Sequence, residues 1–196
     1  MGKIYEIMGR SSCGKDTIYK HLLQRENVQL NKVIIYTTRP MREKEEEGVQ
    51  YFFCDEEKYN QLKDSGKIIE ERTYNTVYGP WHYFTVDDGQ IDLSKGNYLI
   101  IGTIEMFTSI RDYFGEGQVV PLMINADDGT ILQRALNREL KRDNPGYDEM
   151  CRRYLADKAD YSEENLKNAG IDNIFMNEDL EKCLEEIESF IKEKEA

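Results

Sequence analysis

Gly9-Arg10-Ser11-Ser12-Cys13-Gly14-Lys15-Asp16-Thr17 follows directly on a β-prone run at residues 3–8, and a helical pattern with Ile18, Leu22 and Leu23 on one side follows it. Strand, loop and helix in that order, with Gly-x4-Gly-Lys between, are the parts of a phosphate cradle. Glycines let the backbone curl until consecutive N–H groups face phosphate oxygens. The helix start adds the positive end of its dipole, and Lys15 supplies a mobile charge for the outer phosphates. Gly9, Ser11, Ser12, Cys13, Gly14, Lys15, Asp16 and Thr17 are therefore the candidate phosphate-binding residues. Asp16 stands where the motif expects a hydroxyl that binds Mg²⁺. Thr17 comes one residue later, a turn of about 100° around the helix, so it can meet a phosphate without taking that metal position.

Working outward, residues 32–36, 51–54, 67–74, 98–101, 119–124 and 171–176 read as strands. Residues 55–65 read as a helix opened by an Asp cap and closed by Gly66. Further helices are expected over 130–140, 148–167 and 180–192, the last with Leu180, Leu184, Ile187 and Ile191 on one stripe. Alternating strands and helices imply an α/β fold, a parallel sheet covered by helices on both faces, of the P-loop NTPase type. The stretch from about 39 to 85 is richer in strands and polar loops and is expected to form a separate small lobe. The remainder, 1–38 and 86–196, would be the core of one domain.

The formal charge of −12 in 196 residues argues against a nucleic-acid partner, whose phosphates would be repelled. Against that background arginines gather at Arg39 and Arg42 and again from Arg134 to Arg153, as expected of a protein that handles small anions. The four cysteines show no C-x-x-C spacing, and no secretory leader is recognisable. Free thiols in a reducing compartment, the cytoplasm, are the expectation. Two histidines make a His-rich metal site or a Ser-His-Asp triad a poor fit. No stretch approaches the ~20 apolar residues of a membrane span.

The strand after the first helix leads into Tyr36-Thr37-Thr38-Arg39-Pro40-Met41-Arg42, then Glu47-Gly48-Val49-Gln50-Tyr51-Phe52-Phe53. This resembles the guanylate kinase pattern T-T-R-x-x-R followed by G-x-x-Y-x-F. Glu70 in a strand, the pair Tyr78-Gly79 and the run Asn177-Glu178-Asp179-Leu180 match further family elements in the family's order. The resemblance implies an ATP-dependent kinase converting GMP to GDP with Mg²⁺. It makes 39–85 an acceptor-binding lobe in which Arg39, Arg42, Tyr51 and Tyr78 hold the acceptor phosphate and Glu70 faces the guanine. Arginine forks suit phosphate oxygens, and one carboxylate can accept both donors on guanine's edge. The segment 138–153 would be a helical lid, with Arg138 and Arg153 aligned best to its phosphate-directed arginines and Arg134 a turn earlier. Arg142 and Arg152 compete for those places. Asn177 would lie near the nucleotide base.

Where the family carries D-x-D, this chain has Ile101-Gly102-Thr103, so Thr103 stands in for a guanine-contacting acid and Ile101 for one that supports magnesium. Ile35 and Pro80 replace a serine and a Ser/Thr of the family pattern. The metal role would pass to Asp16. Two other readings fit these departures: a guanylate-kinase-like module that binds without transfer, and a P-loop kinase with a different small phosphate acceptor.

Overall fold

The computed structural model describes residues 1–76 and 78–195. A five-stranded parallel sheet has the order β2-β7-β1-β8-β9, formed by β1 (Ile4–Met8), β2 (Leu30–Lys32), β7 (Asn97–Ile101), β8 (Val119–Asn125) and β9 (Ile174–Met176). Every residue of the central strand β1 is buried, as a strand covered on both faces must be. Its side chains alternate between two cores. Tyr5 and Ile7 pack with Ile18 and Leu22 of α1 (Lys15–Leu22) and with Leu184, Ile187 and Ile191 of α7 (Leu180–Glu195). Ile4 and Met8 pack with Met106, Phe107 and Ile110 of α3 (Ile104–Phe114) and with Leu166 of α6 (Glu163–Ala169). Glu6 shares that second face.

A second sheet, β4-β3-β6-β5, is built from β3 (Tyr36–Thr37), β4 (Phe52–Phe53), β5 (Ile68–Thr76) and β6 (Gly79–Val86). α2 (Glu56–Asp64), capped by Asp55 accepting from the Lys58 N–H at 2.8 Å, buries Tyr59 against Phe84. This sheet occupies the part of the chain expected to be a strand-rich lobe. The strand expected over 32–36 divides, because the chain leaves one sheet and enters the other there. Ile34 between them has both backbone groups bonded to the Gln90 amide, at 2.8 and 3.1 Å.

The helix expected over 148–167 also divides, into α5 (Tyr147–Asp160) and α6, with Ser162 capping the second piece. Between α4 (Asp128–Glu139) and α5 lies the turn of the lid segment. No residue of α5 is fully buried. Strand β6 and helix α3 were not foreseen. β6 opens with Gly-Pro, a turn signal, and α3 is rich in β-branched and aromatic residues of low helix propensity. The Thr103 cap and the apolar face of α3 override that propensity. No helix among the described residues is long and apolar enough to cross a membrane.

Candidate active site

The loop between β1 and α1 owes its path to two glycines in the left-handed region. Gly9 has φ 149°, and a Cβ there would stand 2.2 Å from the Ile124 carbonyl oxygen. Gly14 has φ 100°, and a Cβ there would meet the Asn177 amide nitrogen at 2.1 Å. Both positions need glycine for space as well as for conformation.

Groups from three other elements hold the loop. Arg10 reaches under β8 to the Asn125 Oδ1 at 3.0 and 3.1 Å and to the Ala126 carbonyl at 2.8 Å, and it pairs with Asp128 at 2.6 Å. The Asn177 amide donates to the Cys13 carbonyl at 2.8 Å. Arg134 donates to the same carbonyl at 3.2 Å and to the Asn177 carbonyl at 3.0 Å. Asn177 is 4% exposed, so it braces the loop from behind, whereas the resemblance puts it beside a nucleotide base. Arg134 likewise supports the loop in this conformation.

Helix α5 also touches the loop. Arg153 donates to the Ser11 hydroxyl at 3.0 Å, and the Asp157 carboxylate accepts the Ser11 backbone N–H at 2.5 Å. Residues four apart on a helix share a face, so both reach the loop together. Lys158 adds a 2.7 Å bridge to Asp128, the partner of Arg10. Arg138 and Arg142 turn to Glu139 instead. Arg142 bonds both Glu139 oxygens at 2.9 and 3.1 Å, and Arg138 lies 3.7 Å from the same carboxylate. Arg152 pairs with Glu149 at 2.7 Å while lining the cavity.

That cavity, of about 750 Å³, runs from Gly9, Ser11 and Lys15 past Gly102 and Thr103 to Tyr74 of the second sheet. Arg153, Asp157 and Asp160 form part of its wall. Asp16 and Thr17 are exposed in the first turn of α1 and do not line it. Thr103 caps α3 by accepting the Met106 N–H at 3.3 Å. No group of three or more His, Cys, Asp or Glu side chains that could hold a metal occurs among the described residues.

The anion-directed residues of the second sheet form a cluster of their own. Arg39 is 3% exposed and grips Glu45 bidentately at 2.8 and 2.9 Å, while its Nε donates to the Tyr83 hydroxyl at 3.1 Å. Its guanidinium lies over the rings of Tyr51 and Phe53, 5.3 and 5.6 Å from their centroids. Bonds from Arg39 hold the Glu45 carboxyl below the ordinary range. Arg42 is exposed, its backbone N–H bonded to Glu45 at 2.8 Å. Glu70 is buried, its oxygens accepting from the Thr85 hydroxyl at 2.7 Å and the Arg72 Nε at 3.2 Å. Burial raises its pKa, against the pull of Arg72. Tyr78 is 84% exposed at the tip of the β5–β6 turn, stacked on Trp81. The expected acceptor set is therefore gathered in part: Arg39 lies over Tyr51 with Tyr83 beside both, Glu70 is held on β5, and Tyr78 stands apart.

Sequence reasoning passed over Arg10, Glu45, Tyr83 and Asp157. A signal existed for two of them: Asp157 is four residues from Arg153, and Glu45 is an acid inside the arginine loop.

The guanylate kinase family model matches residues 1–83. The guanylate kinase of Mycoplasmoides gallisepticum is 30% identical over 192 residues, covering 97% of this chain and 92% of that protein. The guanylate kinase of Legionella pneumophila strain Paris is 27% identical, covering 97% and 85%. The crystal structure of guanylate kinase from Anaplasma phagocytophilum superposes with a TM-score of 0.68 at 21% identity, covering 98% of this chain and 86% of that one, which supports the fold.

Proposed function

The chain belongs to the guanylate kinase family and is a nucleoside monophosphate kinase, and from that premise we propose that it transfers the γ-phosphoryl group of ATP to GMP. The observation that carries this reading is one cavity with Gly9, Ser11 and Lys15 at one end and Tyr74 of β5 at the other, Arg153 standing in its wall bonded to Ser11, while Arg39 lines a separate hollow with Thr38, Phe53 and Lys58. ATP would lay its phosphates on the loop, with Lys15 at the outer ones. Arg39 and Arg42 would hold the acceptor phosphate, Arg39 exchanging Glu45 for it. Arg153 would neutralise charge on the group in flight. No general base is needed, because a phosphate monoester with a second pKa of about 6 is already deprotonated at neutral pH. Positioning supplies the rest.

Mg²⁺ accompanying ATP commonly takes one or two carboxylates beside waters and phosphates, which agrees with a site that offers no cage of acidic side chains. Asp16, exposed in the first turn of α1 just outside the cavity lining, is the residue that would hold it. The ion would supply charge neutralisation on the β- and γ-oxygens. A coupled assay of ADP formation across GMP, dGMP, IMP, AMP, CMP and UMP tests the reading, with GMP or dGMP expected to lead. Lys15→Ala should abolish turnover while leaving thermal stability nearly unchanged. Full activity in that variant, or preference for a pyrimidine, would overturn the reading.

A further inference from the structure

Arg39 lies outside the main cavity, in a hollow of its own, yet a donor and an acceptor phosphate must come together for transfer. Among the described residues of the second sheet, Tyr74 is the one that stands in the wall of the cavity that begins at Lys15. The pairing of β5 with β6 decides which way it points. Residues directly opposite one another in an antiparallel pair share a face, and here Glu70 pairs with Thr85, Arg72 with Tyr83 and Tyr74 with Trp81. The alternate pairs, Glu71 with Phe84 and Thr73 with His82, turn toward α2. There the Tyr59 hydroxyl bonds Glu71 at 2.7 Å and the Tyr59 ring stacks on His82 at 4.0 Å. Tyr74 therefore shares the face of Glu70 and Tyr83 and points away from α2.

Aromatic rings on that face join the cavity to Arg39. Tyr74 packs edge-on against Tyr83, their centroids 5.5 Å apart and their planes at 85°. The Tyr83 hydroxyl takes the Arg39 Nε–H at 3.1 Å, and the Tyr83 ring meets that of Tyr51, over which Arg39 lies, at 5.7 Å. Tyr74 is thus one ring away from the buried arginine and in the same wall as Arg153. It is 50% exposed, so a ligand in the cavity can reach it. Tyr78 has no comparable place, being stacked on Trp81 outside the cavity lining.

We propose that Tyr74 binds the acceptor phosphate, its hydroxyl donating to a phosphate oxygen of the nucleoside monophosphate where the Arg39 cluster adjoins the Lys15 cavity. This rests on the function proposed above and adds a binding residue that neither the motifs nor the resemblance mark. A tyrosine suits the place. Its ring is already held by Tyr83, so little side-chain freedom is lost when the hydroxyl bonds. A hydroxyl that donates to an ionised phosphate makes a stronger bond than one between neutral groups.

The test measures steady-state kinetics, calorimetric binding of GMP and of guanosine, and thermal melting for the parent, Tyr74→Phe and Tyr78→Phe. Tyr74→Phe keeps the ring and removes only the hydroxyl. KM and Kd for GMP should rise about tenfold, as loss of one charge-assisted bond gives, with KM for ATP within about twofold of the parent's. Tm should not move, since the ring contact with Tyr83 remains. Guanosine, which has no phosphate, should bind parent and Tyr74→Phe alike. The loss of GMP affinity should exceed that in Tyr78→Phe severalfold. Parental GMP affinity in Tyr74→Phe, an equal or larger loss in Tyr78→Phe, or a matching loss for guanosine would each overturn the inference. If the parent turns over GMP and Tyr74→Phe equals it, the Tyr74 assignment fails alone. A parent that neither binds nor phosphorylates any nucleoside monophosphate sinks both readings.

Discussion

Arg39 and Arg42 look equivalent in the sequence, yet the fold treats them differently. Arg39 is buried in a complete set of bonds to Glu45 and Tyr83, whereas Arg42 stands in solvent. Charge-assisted bonds to one phosphate are worth about 1.5–3 kcal/mol, and a lysine cannot reproduce the fork. Arg39→Lys should therefore raise the acceptor KM at least tenfold and also lower Tm by several degrees, because Glu45 loses its bidentate partner. Arg42→Lys should raise KM with Tm unchanged. Kinetics paired with calorimetric melting separate the two, and equal Tm losses would contradict this account. The motif showed that these arginines matter. It could not show that one of them already holds a carboxylate, because that depends on where the loop returns Glu45.

Helix α5 carries the next expectation. Its Asp157 occupies the Ser11 N–H, one of the donors that the loop offers a phosphate. A triphosphate must displace that carboxylate and works against its charge. Asp157→Ala should tighten binding of a non-hydrolysable ATP analogue severalfold, with the larger gain in the absence of Mg²⁺, as titration calorimetry would show. Weaker binding in the variant would mean that Asp157 helps the ligand. The strand-loop-helix unit at the start and the apolar stripe of α7 were legible, because local pattern and tertiary burial agree there. The 32–36 run and the 148–167 helix were misdivided because a change of sheet and a Ser162 cap decide them, and neither alters the hydrophobic period. That Arg153 meets the loop while Arg138, aligned equally well, turns to Glu139 was hidden, since it follows from which helix face meets the loop.

At the scale of the whole molecule, two sets of carboxyls pull the pH dependence of stability in opposite directions. Glu45, Glu139 and Glu149 sit below their ordinary pKa, each chiefly through bonds from an arginine. Their contribution is full above the ordinary carboxylate range and is lost as pH falls through their folded values. Glu6 and Glu70 sit above it, each chiefly through burial. Theirs is full below that range and is lost as pH rises toward the folded values. Tm should therefore decline as pH rises above the ordinary carboxylate range, and Glu6→Val should flatten that decline. An identical slope in parent and variant would count against it. The alternation that puts Glu6 on an apolar face was visible in β1, but its place behind Gly102 is a matter of three dimensions. The absence of buried residues from α5 has one more consequence. The body of the molecule is held by packing, whereas α5 adds mainly ionic and polar contacts to the partial packing of Tyr154, so their backbone amides should exchange with deuterium by different routes. Those of β1 and β8 should wait for global unfolding and respond little to salt. Those of α5 should exchange orders of magnitude sooner, through detachment of the helix alone, and faster still as ionic strength rises.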